Sequence, residues 1–521
     1  MNEQIPPILR PERVQPISLA ELKLRFGLSW ATEIVPAASE PSSKVRVSGI
    51  SMNTADLRPG DLFVAMPGLK THGARFVNKA VSHGAVAVIT DQAGVELLDG
   101  VSVPVLVLEN PRAQLGDLAA FVYGNVAGNL PKLFATTGTN GKTSTSYFLE
   151  GILRQIGEVT GLTSTAERHI AGEVIVSRLT TPESTEMQAL IARMRERGVT
   201  SVAIEVSAQA LTQLRVDGMV FDVVGFTNLS HDHLDDYPDL ATYLQAKAQL
   251  FTAKRAKRGV VSLDSKYGSE LLEISQIPTV TISSHSATKA DWNLTVTSEE
   301  PGKTAFRLVG PNQELIESSV SILGAHMAAN AGLAIVMLIE AGFEWHLIAQ
   351  RIVNGIVAFL PGRTELVSAA GSPSVYVDFG HSPDAFLNTL AAVRKVTAGR
   401  VIMVFGADGD RDPSKREAMA RVAASGSDIL VITDHHPRFE DPASIRAVLM
   451  SAALQAKPEM EIYEVSPPEQ AIRKAVSLAK SEDAILWAGP GHQDYRDIRG
   501  VRTPYSARQE ARDALKEFGW Q

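Results

Sequence analysis

Apolar residues in this chain come in short blocks, punctuated by glycine, proline and charged turns. Residues 45–65 alternate as a strand, a loop, a turn at Arg58-Pro59-Gly60-Asp61 and a second strand. The stretch FVNKAVSHGAVAVITD that follows has helical spacing up to Gly84, a glycine stop, and then the unbroken apolar run of a buried strand. This first section reads as a small α/β domain ending near Asn129–Lys132. A strand, KLFATT, then leads through a glycine-rich turn into a helix, KTSTSYFLEGILRQIG. The strand-like blocks SVAIEVS, FDVVGFTNLS and RGVVSLD continue the alternation, with a helical block, LATYLQAKAQLF, before the last of them. That rhythm predicts a largely parallel sheet covered by helices. From about residues 357–363 it resumes, with strands in VYVDFG, RVIMVFGADG, DILVITD and AILWAGPG, each running into turn residues. A doubly wound sheet places its ligands at such strand ends. The expected fold class is α/β in three domains, 1–128, 129–356 and 357–521, with no short repeat and no low-complexity tract.

Composition narrows the function more than the fold. A chain of 521 residues exceeds what one core serves, and 45% hydrophobic with 21% charged residues is ordinary globular usage. A net charge of −8 argues against a nucleic-acid partner. The absence of cysteine excludes disulfides, thiolate metal sites and thiol nucleophiles. No apolar run approaches the roughly 20 residues of a membrane span, and the first residues lack the pattern of a secretory signal. These features predict a cytoplasmic protein without membrane insertion.

The chemistry begins at TTGTNGKTST, residues 136–145, between a strand and a helix. Backbone N–H groups there can cradle phosphates, Lys142 can lie against the β- and γ-phosphates, and the Thr143 hydroxyl can reach Mg²⁺. The strict eight-residue pattern wants glycine at 136, where this chain has Thr136. The shorter G-x-x-G-K-T core would occur by chance in roughly 2% of chains of this length. With a strand before it and a helix after it, a solvated glycine turn is the weaker reading. Glu205 ends an apolar block, and residues 227–237 carry His231, Asp232, His233 and Asp235. Alone, such a loop is as readily a surface turn, with Asp235 capping the next helix.

Ten motifs occur in order over nearly the whole chain: TGTNGKT, LTTPES, EVSAQAL, FTNLSHDHLDDY, YLQAKAQLF, GAHMAAN, PGRTE, VDFGHSPDA, VFGADGDRD and GPGHQDYR. In this the sequence resembles the Mur ligases, in particular their tripeptide-forming branch. The resemblance implies three domains, one for the UDP end of the substrate, a central ATPase and a closing domain that brings an amino acid. The implied reaction joins a third amino acid to UDP-N-acetylmuramoyl-dipeptide with ATP and Mg²⁺, through an acyl phosphate, in the making of cell-wall precursors by a monomeric enzyme. It implies ATP contacts at Thr137, Gly138, Thr139, Asn140, Gly141, Lys142, Thr143, Asn330, Arg363, Asp378 and His381. UDP-substrate contacts fall on Thr54, Thr180, Thr181, Ser207 and Arg215, and catalytic roles on Lys142, Glu205, His233 and Lys247. The metal would be held by Thr143, Glu205, His233 and Lys247, the lysine as an N-carboxylated side chain, because an ammonium beside Mg²⁺ would repel it.

Amino-acid contacts are implied at Arg411, His435, His436, Arg438, Gly489 and Gln493, and here the chain departs from the pattern. The loop usually reading D-N-P-R is His435-His436-Pro437-Arg438, and G-K-G-H-E has become Gly489-Pro490-Gly491-His492-Gln493. Both acids that would face a side-chain amine are missing. A neutral third residue such as homoserine fits that loss, the retained Arg438 leans towards diaminopimelate, and Asp434, Glu440 or Asp494 could have taken over the acidic role. Further departures are Asn53-Thr54-Ala55 for D-S-R, Gln209 for a histidine and Ala507 for an aspartate. The competing readings are a related ligase acting on another carboxylate, as in folate-glutamate ligases, a non-catalytic paralogue, and a general P-loop NTPase.

Overall fold

The computed structural model describes residues 8–31, 44–68, 70–232 and 235–520. They fall into two compact units. One takes in the described residues of Met1–Ala135 with Glu158–Asp222 and Gln249–Lys257; the other has Thr136–Gly157, Val223–Ala248 and the described residues of Arg258–Gln521.

In the first unit, Gly49–Ser51, Asp61–Ala65, Ala85–Thr90 and Val105–Val107 pair in parallel, in that spatial order, and Ser29–Trp30 closes the edge antiparallel to Val105–Val107. Leu62, Val64, Ala87, Ile89 and Leu106 point to one face, under Leu115, Leu118, Ala119 and Val122 of the helix Pro111–Val122. Phe63, Ala65, Val88 and Val105 point to the other, the alternation a strand imposes. The helix Pro111–Val122 approaches the backbone of residues 217–218 so closely that a Cβ on Gly116 would lie 1.9 Å from the Asp217 carbonyl. The same unit carries strands in the order Glu173–Val176, Glu167–Ile170, Thr160–Thr163, Ser201–Glu205.

The second unit contains the helix Lys142–Gln155, the helix Ala325–Glu340, which is apolar nearly all round, and the antiparallel strands Trp292–Glu300, Lys303–Val309 and Leu315–Val320. It also contains a six-stranded sheet ordered Glu365–Leu366, Ser374–Asp378, Ala484–Ala488, Val401–Phe405, Ile429–Ile432, Glu461–Glu464. All its pairings are parallel except the first. Met403, Phe405, Leu430 and Ile432 face the helices Pro383–Val396, Lys415–Gly426 and Pro442–Ala456, while Ile402, Val404, Val431 and Trp487 face Pro468–Leu478 and Ala507–Glu517. This is the doubly wound arrangement expected from the pattern. The last parallel strand in chain order, Ala484–Ala488, sits between Ser374–Asp378 and Val401–Phe405, so the loops at their carboxyl ends converge. No helix among the described residues is long and apolar enough to cross a membrane.

One local expectation is corrected. The helix after the 227–237 loop is Leu240–Ala248, and the side chain accepting its Thr242 N–H, at 2.7 Å, is Asp239, not Asp235. Asp235 stands too far ahead of the first turn to reach an orphan N–H.

Candidate functional site

The phosphate-loop region is held from behind by residues 227–230. Thr227 N–H donates to the Thr137 carbonyl (3.0 Å), Thr139 N–H to the Asn228 carbonyl (2.9 Å) and Asn140 N–H to Asn228 Oδ1 (3.0 Å). The Thr227 hydroxyl donates to the Asn140 carbonyl at 2.6 Å, and Ser230 N–H to Thr139 Oγ1 at 3.0 Å. Sequence reasoning passed over Thr227, Asn228 and Ser230, although the first two stand directly after an apolar block. Glycine is required twice. Gly141 is left-handed (φ 87°), and a Cβ there would lie 2.5 Å from Asn330 Oδ1; one on Gly138 would lie 1.9 Å from Thr227 Oγ1. Asn330, on the helix Ala325–Glu340, is therefore brought against the loop.

Lys142 opens the helix Lys142–Gln155, and its Nζ donates to the Gly138 and Thr139 carbonyls at 3.0 and 2.8 Å. Thr143 accepts a hydrogen bond from Arg363 Nη2 at 2.9 Å, and the Arg363 guanidinium lies 4.2 Å over the Phe379 ring. Asp378 serves the backbone, accepting N–H bonds from Thr364 (2.8 Å) and Gly380 (2.7 Å). His381 Nδ1 donates to the Phe379 carbonyl, leaving Nε2 3.8 Å from Asp232 Oδ2. Burial, and after it the Lys415 ammonium, lower the His381 pKa, so this ring is neutral near pH 7.

Lys247 is 1% exposed. Its Nζ donates to the Gly138 carbonyl (2.8 Å) and stands 4.1 Å over the Tyr243 ring. Burial first, and Lys142 second, push its pKa well below the usual lysine range. Asp232, buried beside it in the unit, accepts from Lys415 Nζ at 2.9 Å. His233 lies outside the described residues.

In the first unit, Glu205 ends its strand with both oxygens occupied by Thr165, N–H at 2.8 Å and O–H at 3.0 Å. Its carbonyl accepts the Thr181 hydroxyl (2.8 Å), Thr181 Oγ1 accepts Ser207 N–H (3.1 Å), and Thr180 Oγ1 is 3.0 Å from Thr165 Oγ1. Arg215 reaches the Thr181 carbonyl (3.4 Å) and pairs with Glu183 (2.8 Å). Glu205, Thr180, Thr181, Ser207 and Arg215 thus form one cluster, through a Thr165 that sequence reasoning did not single out. Thr54 opens a short helical turn, Thr54–Asp56, whose Asp56 pairs with Arg178 at 3.2 Å; no described contact joins Thr54 to that cluster.

A third cluster lies at the strand ends of the six-stranded sheet. His435 Nδ1 donates to Asp408 Oδ1 at 2.7 Å, and Arg438 stands 3.6 Å from Asp408 Oδ2 while donating to the Gly409 carbonyl at 3.0 Å. Burial alone would raise the Asp408 carboxyl, but His435, His436 and Arg438 outweigh it and hold the pKa far below the usual range. His436 accepts Asp497 N–H at Nδ1 (3.0 Å), which fixes its proton on Nε2, donated to Gln493 Oε1 at 2.8 Å. Burial, then the neighbouring His435, push its pKa down to about 4. Gly489 packs beside the His435 ring, with room for a Cβ no nearer than 3.6 Å to it. Arg411 is elsewhere: half exposed, its partner is Asp235 at 4.0 Å. Asp408, the centre of the cluster, was missed; GADGD after an apolar strand was the signal.

Three family domains match in chain order: the Mur ligase family catalytic domain over residues 46–123, the Mur ligase middle domain over 136–338 and the Mur ligase glutamate ligase domain over 362–491. A UDP-N-acetylmuramyl-tripeptide synthetase of Leifsonia xyli subsp. xyli is 51% identical over 522 residues, covering both chains fully. A UDP-N-acetylmuramoyl-L-alanyl-D-glutamate--2,6-diaminopimelate ligase of Streptomyces avermitilis is 41% identical over 98% of each chain. A solved structure of an enzyme of that latter name superposes with a TM-score of 0.66 at 25% identity, over 97% of this chain and 99% of that one. A MurF ligase of Thermotoga maritima in complex with ADP shares the fold, with a TM-score of 0.64 at 16% identity over 90% and 97%.

Proposed function

As the chain belongs to the Mur ligase family of ATP-dependent ligases, we propose that it adds the third amino acid to UDP-N-acetylmuramoyl-dipeptide. It has that family's three-domain fold. We assign residues 1–128 to the UDP end, 129–356 to ATP and 357–521 to the amino acid. The observation that carries this reading is the phosphate loop, clamped by Thr227 and Asn228 and bordered by Lys142, Lys247 and Arg363.

The loop fits a triphosphate. Its backbone is bare at Gly138 and Gly141, the helix Lys142–Gln155 starts beneath it, and an ammonium is anchored on its rim. The dipeptide carboxylate takes the γ-phosphoryl group of ATP, releasing ADP, and becomes an acyl phosphate, a mixed anhydride from which the incoming amine expels inorganic phosphate. Two anions must meet for that, and Lys142, the loop N–H groups and Arg363 lower the repulsion between them. The hydroxyl of Thr143 and the carboxylate of Glu205 are oxygen donors of the kind Mg²⁺ takes. Lys247 joins them on this reading only as a carbamate, which its depressed pKa favours, because a neutral amine is what adds to CO₂. His233 completes the proposed metal set and the catalytic residues Lys142, Glu205 and Lys247. Thr54, Thr180, Thr181, Ser207 and Arg215 hold the UDP substrate, and Asn330, Asp378 and His381 border ATP. Arg411, His435, His436, Arg438, Gly489 and Gln493 receive the amino acid and hold its amine towards the activated carbonyl. The reaction belongs in the cytoplasm, where ATP and the soluble precursor are, with the chain acting as a monomer.

The test is phosphate release with ATP, Mg²⁺ and UDP-N-acetylmuramoyl-dipeptide. We expect release to require the dipeptide and an amino acid together. Release indifferent to both would reduce the protein to an ATPase and overturn the reading.

A further inference from the structure

We propose that the pocket at His435 and Gln493 selects an amino acid whose side chain ends in an uncharged donor–acceptor group, above all a hydroxyl, and rejects an ammonium. This rests on the reading of that cluster as the amino-acid site and names the substrate class it takes.

The carboxylates that could face an ammonium are already engaged. Asp408 is held between His435 (2.7 Å) and Arg438 (3.6 Å). Asp434 pairs with Arg446, accepts the Ser466 hydroxyl and has Arg496 at 3.9 Å. Glu440 receives two bonds from Arg416 (both 2.9 Å), and Asp494 pairs with Arg508 (3.1 Å). The four remaining acids of these loops serve backbone turns or caps, Asp410 accepting Phe439 N–H, Asp412 accepting Ser414 N–H, Asp441 accepting Ser444 N–H and Asp497 accepting Gly500 N–H. An ammonium arriving here would meet Arg438 and Arg496 without a carboxylate of its own, the arrangement in which burying a charge costs most.

What the cluster does offer is neutral. His435 Nδ1 is spent on Asp408, and its other ring nitrogen, Nε2, is buried with no hydrogen-bond partner among the described residues. A buried ring nitrogen of this kind calls for a polar partner. Gln493 turns its Oε1 to His436, so its amide N–H₂ is the end left to donate, with the Tyr495 hydroxyl 3.5 Å away. A hydroxyl both donates and accepts and so can satisfy His435 and Gln493 together; an ammonium only donates. Asp408, His435 and His436 also lie close enough together to suggest a cation site. His436 has both nitrogens committed, however, to Asp497 and Gln493, which leaves only two ligands.

The test uses the full chain with ATP, Mg²⁺ and UDP-N-acetylmuramoyl-dipeptide, reading phosphate release. The amino acids are matched pairs differing only in a terminal hydroxyl or amine: homoserine and 2,4-diaminobutyrate, 5-hydroxynorvaline and ornithine, 6-hydroxynorleucine and lysine. The hydroxyl member of the best-length pair should have a kcat/KM roughly tenfold or more above its partner. Gln493→Glu alone, and His435→Asp with Gln493→Glu, should shift that ratio towards the amine by a similar factor. Preference for the amine in the best pair overturns the proposal and leaves the ligase assignment standing. Release with diaminopimelate but with none of the pairs likewise overturns the proposal alone, and no release with any of these amino acids, diaminopimelate included, overturns both.

Discussion

Lys415→Met removes the ammonium 2.9 Å from Asp232 and keeps most of the side chain's apolar length. Both partners are nearly inaccessible, at 11% and 7% side-chain exposure, so water cannot replace what is lost. His381 Nε2, 3.8 Å from Asp232, does not replace that charge, since its ring is neutral near pH 7. Breaking a buried ion pair by removing one of its members costs about 3–5 kcal/mol. The cost falls on a junction 183 residues apart in sequence. Asp232 belongs to the loop whose Asn228 and Ser230 clamp the phosphate loop, and Lys415 opens the helix Lys415–Gly426 of the C-terminal sheet. At about 1.4 kcal/mol per tenfold, kcat/KM for ATP should fall on the order of 10²–10⁴-fold.

Phosphate release under the ligase conditions reads this, and a double-mutant cycle isolates it. Asp232→Asn combined with Lys415→Met removes both charges and should be no worse than Lys415→Met alone, a coupling of about 2 kcal/mol or more. Raising the salt should barely change it, because screening acts on exposed pairs. Additive losses, with coupling under about 0.5 kcal/mol, would refute the reasoning, since the pair would then not be what holds the two segments together.

Gly141→Ala puts a Cβ 2.5 Å from Asn330 Oδ1 at φ 87°; ATP affinity by calorimetry should drop about tenfold or more, and Asn330→Ala should not restore it fully, because the backbone strain remains. Lys247 should carry a carbamate: a ¹³C signal from labelled bicarbonate is expected in the wild-type protein and absent in Lys247→Met, and CO₂-depleted enzyme should regain activity when bicarbonate is added. His436, with its pKa lowered to about 4, binds fewer protons folded than unfolded between about pH 4 and 6.5, so it makes stability rise with pH across that window. The span is worth about 3 kcal/mol. His436→Asn should flatten the change in thermal midpoint between pH 4.5 and 6.5, whereas an unchanged slope would place the titration elsewhere.

Much of this was legible because it is local. The strand faces alternate residue by residue, Ile402 and Val404 against Met403 and Phe405, and the phosphate loop announces itself by Gly138, Gly141 and Lys142 within five positions. The capping of Leu240–Ala248 was misplaced because Asp235, Asp236 and Asp239 all precede the helix, and only the backbone path decides which oxygen reaches an open N–H. The antiparallel strands of residues 292–320 carry period-two alternation but no ligand chemistry, so a reading directed at function has no hold on them. Asp232 with Lys415, and Asp408 with His435, could not be paired in advance, since neither proximity in sequence nor residue type says which of many acids meets which base.

The substitutes considered for the missing acids show the same point from the side of function. Asp434, Glu440 and Asp494 stand within a few residues of the histidines or of Gln493, and by sequence each was eligible to receive an ammonium. In the folded chain each answers an arginine: Arg446, Arg416 and Arg508. A carboxylate that already neutralises a guanidinium could serve a bound amine only by giving up that pair, and the buried arginine would then bear the cost. Arg416, at 7% side-chain exposure, has the least room to do so. Proximity of an acid is therefore no measure of its availability. What distinguishes this pocket is the unpartnered Nε2 of His435 beside the Gln493 amide, a pair that a hydroxyl, able to donate and to accept, can satisfy together.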